Sequence, residues 1–147
     1  MLDNKTNKPK MMRAIKRNNP LNIRYNDSNR WLGQVANDKG FVVFDTPDHG
    51  WRAAFKLLNT YIRKGYNTPE KIVRRWAPPS ENDTMNYVAY VLKNIRQTLG
   101  VGAAYHIMQS GNEAYFLMVQ AMAMMEQAIA ISTDDLKRIY DEQRVII

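Results

Sequence analysis

The sequence predicts a mainly α protein: an α+β domain of six or seven helices with one small β-hairpin. Three observations predict it. Two stretches, Thr46-Pro47-Asp48 and Thr68-Pro69-Glu70, carry the full punctuation of a helix start. Asn37-Asp38-Lys39-Gly40 separates two short apolar pieces, as a hairpin turn does. From Ala114 to Thr133 Glu126 is the one charged residue in an otherwise core-like run, which marks a central buried helix.

The first fifteen or so residues read as a basic tail leading into a short helix. "RNNPLNIRYNDSNRW" is rich in Asn and holds Pro20. Such residues favour turns through local side-chain bonds or a fixed φ, so a loop is expected over 18–29. The hairpin follows, with Phe41 to Phe44 as its second strand. The next helix starts at Thr46, where the hydroxyl can cap, Pro47 suits the first helical position and Asp48 suits the positive dipole end. Trp51, Ala54, Phe55, Leu58 and Ile62 form its apolar stripe, and Gly65 stops it. A helix beginning at Thr68 ends at the two prolines of "APPS". The next is capped by Asp83 or Thr84 and turns Tyr87, Val91 and Ile95 inward. A short helix or turn is expected over 103–109. The long apolar helix runs from about Glu113 to Gln127 or a little beyond, with Met118, Met122, Met124 and Met125 as core filler. Ser132 and Asp135 resemble a capping box opening a last helix to about Gln143.

The 147 residues suffice for one domain with a real core, so residues 1–16 are expected as a basic arm and 17–147 as a single domain. The chain has no cysteine, which excludes disulfide scaffolds and Cys-based zinc sites. His49 and His106 lie far apart, so neither a metal nor another cofactor is expected. No apolar window of about eighteen residues is present, and the N-terminus lacks the apolar core of a secretory signal, so neither a membrane span nor a signal peptide is expected. The net charge of +7 points to an anionic partner: nucleic acid, a membrane surface or an acidic wall polymer such as peptidoglycan. Nucleic acid is the weakest of these, because no helix-turn-helix pattern stands out.

Glu126 is the residue that demands an account. A lone carboxylate in an apolar setting is costly unless it is satisfied or protonated. One reading is a structural ion pair with Arg17, Arg24, Arg52 or Arg75. The other is a general acid, its pKa raised by an apolar pocket, of the kind that protonates a leaving glycosidic oxygen. "WAPPSENDTMNYV" adds Glu81, Asn82, Asp83 and Thr84 behind two prolines, flanked by Trp76 and Tyr87. Aromatic faces stack on sugar rings and amides orient N-acetyl groups, and Glu81 is the first choice for a water-activating carboxylate. In "RNNPLNIRY", Asn19, Asn22 and Tyr25 are the expected substrate-binding groups.

"RNNPLNIRYNDSNRWLGQ", "GFVVFDTPDHGWRA", "LLNTYIRKGYNT" and "IVRRWAPPSENDTMNYV" together resemble a family of phage and prophage proteins. It spans virion components and lysozyme-like, transglycosylase-type wall hydrolases. The resemblance covers Arg17 to about Val91. It implies a lysozyme-like domain acting on peptidoglycan, in the virion or the host cell, with other virion proteins as further partners. The arrangement also resembles the glucosaminidase branch of the lysozyme superfamily, whose enzymes carry their catalytic Glu upstream of the Asn-rich loop, whereas the first Glu of this chain is Glu70. The phage family carries a late "HENG"-like segment, and here Met125-Glu126-Gln127-Ala128 stands in its place. The resemblance therefore implies a circular permutation, with the catalytic helix moved to the C-terminal side and Glu126 as the acid. Leu21 stands where the family has Gly, which predicts a reshaped cleft loop. The rival expectation is a non-catalytic virion component on a degenerate form of the same fold.

Overall fold

The computed structural model describes residues 16–77 and 83–146. The basic arm, apart from Lys16, and the short helix expected after it fall outside them. So do Glu81 and Asn82. The described elements are β1 (Gln34–Asp38), β2 (Phe41–Phe44), α1 (Pro47–Arg63), α2 (Pro69–Trp76), α3 (Thr84–Leu99), a 3-10 turn (Gly102–Tyr105), α4 (Glu113–Gln127) and α5 (Thr133–Glu142). The protein is mainly helical with one two-stranded antiparallel sheet. Five α-helices stand among the described residues where six or seven helices were expected. The segment after Gly100 closes a single 3-10 turn, which ends where His106 turns extended, at φ −80° and ψ 159°.

The helix starts form where the punctuation put them. Thr46 Oγ1 accepts from the His49 amide and Thr68 Oγ1 from the Lys71 amide. Asp83, not Thr84, caps α3, accepting from the Asn86 amide. Thr84 is buried and donates its hydroxyl to the Ala77 carbonyl, closing the ends of α2 and α3 on each other. Ser132 Oγ accepts from the Asp135 amide at the start of α5.

In the hairpin, Ala36 pairs with Val43, Asn37 with Val42 and Asp38 with Phe41. The two-residue loop Lys39-Gly40 has both φ positive, the twist that suits right-handed strands. β2 faces the core while β1 is largely exposed. The Asn-rich loop runs beside β2 as an irregular third strand. Val42 N donates to the Ile23 carbonyl, Tyr25 N to that of Gly40, and Phe44 N to that of Arg17.

α4 forms the centre, packed between α3 and α5, and α5 also packs on α1. Its buried residues run without a break from Tyr115 to Val119 and from Ala121 to Ala123. Met118 and Met122 are fully buried as expected, but Met124 and Met125 are 37% and 40% exposed, because α4 leaves the core over its last turn. Phe55, Tyr115, Phe116 and Tyr140 pack edge to face around a buried Asn59, whose Oδ1 accepts from the Tyr115 hydroxyl at 2.9 Å.

Burial raises the pKa of Tyr61, Tyr87, Tyr115 and Tyr140, half of the eight tyrosines. A phenol raised in the folded state contributes stability that is intact below its unfolded pKa of about 10 and is lost as pH rises beyond it. These four are expected to ionise only together with loss of helicity, followed by phenolate absorbance against circular dichroism. Eight tyrosines titrating near pH ~10 with the helices intact would contradict this.

Candidate active site

The site begins with the turn Asn19-Pro20-Leu21-Asn22, closed by the Asn22 amide donating to the Asn19 carbonyl at 3.2 Å. Pro20 pre-sets the first corner of such a turn. Asn18 and Asn22, on either side, have φ of 52° and 56°. Asn tolerates that left-handed region better than most residues, so the Asn-richness has a backbone cause. Gly50 of α1 permits the loop to sit where it does, since a Cβ there would overlap the Asn18 carbonyl oxygen.

The two asparagines expected to bind substrate have different fates. Asn19 is 3% exposed and its amide is fully used: Nδ2 donates to the Ile23 and Val42 carbonyls, and Oδ1 accepts from the Ile23 amide. It builds the loop and is not available to a substrate. Asn22 is half-buried and points at Glu126. Its Nδ2 lies 2.9 Å from Glu126 Oε1 and 3.1 Å from the Glu126 carbonyl. The Tyr87 hydroxyl donates to the other carboxylate oxygen, Oε2, at 2.9 Å. Gln127 Nε2 donates to Asn22 Oδ1 at 2.6 Å and to the Asn19 carbonyl at 3.0 Å. That contact fixes which way the Asn22 amide faces: oxygen to Gln127, nitrogen to Glu126. Tyr25 is half-buried and packs its ring against the core.

Glu126 is half-buried, at the last turn of α4, rather than in the middle of a buried helix. The helix closes on Ala128, whose φ is 54°. Among the expected structural ion-pair partners, Arg17 Nε binds Asp38 Oδ2 at 2.8 Å, and Arg75 lies over the rings of Tyr61 and Tyr66. The carboxylate is met by an amide from the first-half loop and a phenol from α3. Burial, then the Glu126 charge and its hydrogen bond, hold the Tyr87 pKa far above the usual phenol range, so Tyr87 stays protonated. A phenol can donate to a carboxylate or accept from a carboxylic acid. Tyr87 therefore accommodates Glu126 in either protonation state.

Trp76 Nε1 donates to the Leu21 carbonyl at 2.9 Å, tying the end of α2 to the same loop. Leu21 itself is fully buried with negative φ, so no glycine is needed there and the side chain serves the core, not a cleft wall. Gln127, Gly50 and the Trp76 tie were not among the expected site residues. Gln127 alone had a signal, as the polar neighbour of the one charge in the apolar run. No group of three or more metal-ligating side chains stands together among the described residues. A separate concavity of about 430 Å³, lined by Leu99, Ala103, His106, Met108 and Asn112, lies at the other end of α4. At 1.5 Å per residue it sits about 20 Å from Glu126.

Ala in left-handed backbone costs about 1 kcal/mol that Gly does not. Ala128→Gly is expected to raise stability by about 1 kcal/mol, or roughly 3 °C in melting temperature, leaving the Glu126 contacts in place. Thermal unfolding checks it, and a lowered melting temperature would contradict it.

No family model matches the chain. It is 42% identical over 84 residues to Protein P5 of Pseudoalteromonas phage PM2, a match over 54% of this chain and 52% of the relative. The chain thus spans about half the length of that curated relative. No helix among the described residues is long and apolar enough to cross a membrane.

Proposed function

We propose that the protein is a phage-associated wall hydrolase on a permuted lysozyme-like fold. It cleaves the glycan strands of peptidoglycan in the manner of a muramidase or lytic transglycosylase. The observation that carries this reading is the contact between Asn22 and Glu126, across 104 residues of sequence. It sets a carboxyl on the central helix against the Asn-rich loop, the neighbour that a lysozyme-type acid has. Glu126 in its acid form gives its proton to the glycosidic oxygen as the C–O bond breaks. Water, or a hydroxyl of the same sugar, then attacks the anomeric carbon and returns a proton. Asn22 and Tyr87 hold the carboxyl in place through both steps. Glu81 and Asn82, also assigned to the site in this reading, lie outside the described residues. The chain's positive charge favours an anionic wall.

The second reading is a non-catalytic virion component on the same fold. It draws on the late segment, where only the Glu is kept beside Met125, Gln127 and Ala128. Both readings place the protein in the virion or the infected cell, and the phage relative is consistent with either. Purified protein added to a peptidoglycan suspension separates them: clearing is expected, and a suspension that stays turbid favours the virion component.

A further inference from the structure

α2 ends with two adjacent arginines in different situations. Arg74 Nε is 2.9 Å from Glu70 Oε2, an ordinary exposed pair one turn apart. Arg75 has no carboxylate within ion-pair reach among the described residues. Its guanidinium instead lies 5.6 Å from the Tyr61 ring centroid and 5.5 Å from that of Tyr66. Tyr61 meets Tyr66 and Trp76 edge to face at 6.1 and 5.7 Å, so the four side chains form one cluster. Tyr66 is 39% exposed and Arg75 is exposed, so the cluster opens to solvent.

A guanidinium held on aromatic faces loses little freedom when it binds, and its N–H groups can still fork onto a planar anion. Carboxylate is the anion whose two oxygens match that fork. The cluster is joined to the acid. Trp76 holds the Leu21 carbonyl, and the next residue, Asn22, holds Glu126. Both groups are thus tied to the same loop, at the adjacent residues Leu21 and Asn22. We propose that Arg75, with Tyr61, Tyr66 and Trp76, is a subsite for a carboxylate of peptidoglycan, borne by a stem peptide or by an unsubstituted muramyl lactyl group, the aromatic rings taking the neighbouring sugar face. The proposal rests on the wall-cleaving reading for its ligand, but binding can be read without turnover.

The test measures sedimentation of Glu126→Gln protein with three insoluble probes: whole peptidoglycan, glycan strands stripped of peptides, and chitin, which carries no carboxylate. Adding Arg75→Gln is expected to weaken binding to peptidoglycan about 10-fold, the size of one charge-assisted pair, and to leave chitin binding unchanged. Arg75→Lys should recover only part, because an ammonium neither stacks nor forks. In whole peptidoglycan the stem peptide holds the muramyl lactyl carboxyl as an amide. Arg75 dependence that is lost on the stripped strands therefore assigns a stem-peptide carboxylate, and dependence seen on both shows that the subsite also takes the lactyl carboxylate that stripping frees. Equal binding by the Arg75→Gln protein, an equal loss on chitin, or no binding to peptidoglycan at all would each overturn the proposal. Because Glu126→Gln protein is used throughout, a wild type that binds but does not cut sinks the catalytic reading alone.

Discussion

Glu126→Gln is expected to lower the rate of peptidoglycan clearing by ~1000-fold or more, since the proton donor of a glycosidase supplies a large share of its acceleration. Gln keeps the shape: its Oε1 can accept from Asn22 Nδ2 while its Nε2 donates to the Tyr87 hydroxyl, which met the carboxylate as a donor at 2.9 Å. The melting temperature should therefore move little. Loss of activity with an intact fold assigns the proton to this residue, whereas undiminished clearing by the Gln variant would remove Glu126 from the chemistry. Tyr87→Phe makes the companion variant. It deletes a donor to the ionised form, so the pH at which the acid loses its proton should rise and the alkaline limb of the rate profile should move up.

Leu21→Gly is expected to cost at least about 3 kcal/mol, or roughly 10 °C in melting temperature. The substitution installs the glycine that the resemblance to phage wall hydrolases leads one to expect at this place, yet it should not improve the site. Leu21 is fully buried beneath the loop, and its φ lies in the ordinary negative range, so glycine relieves nothing and leaves a cavity. The loop also hangs on the Trp76 bond to the Leu21 carbonyl, so loosening residue 21 should loosen Asn22 and lower activity beyond the loss of folded protein. Thermal unfolding and clearing rates at a temperature where the variant remains folded check both parts. A Leu21→Gly protein as stable as the wild type would contradict the burial that the argument uses.

The parts of the fold legible in sequence are those written in local chemistry. Thr46-Pro47 and Thr68-Pro69 start helices because the hydroxyl cap and the missing proline N–H act within one turn. The hairpin follows from Lys39-Gly40, and the inward face of α3 from the spacing of Tyr87, Val91 and Ile95. The parts that were not legible depend on position in space. α4 ends about where its apolar run suggested, but its last turn leaves the core while Ile129 and Ile131 beyond it still pack there, so composition hides the exit that leaves Glu126 only half-buried. Asn19 and Asn22 belong to one motif and carry the same side chain. The turn between them sends one amide into the loop's own carbonyls and the other to Glu126, which no residue count distinguishes. Arg74 and Arg75 differ in the same way, by which neighbour a helical rotation of one residue supplies.

The claim that most needs testing is that a carboxyl on the last turn of α4 breaks a bond between sugars. Mass spectrometry of the material released from purified peptidoglycan by the wild-type protein addresses it directly. The expected result is a set of fragments cut between sugars, with every stem peptide intact. Release of fragments cut only within the peptides, or no soluble fragments at all, would contradict the account.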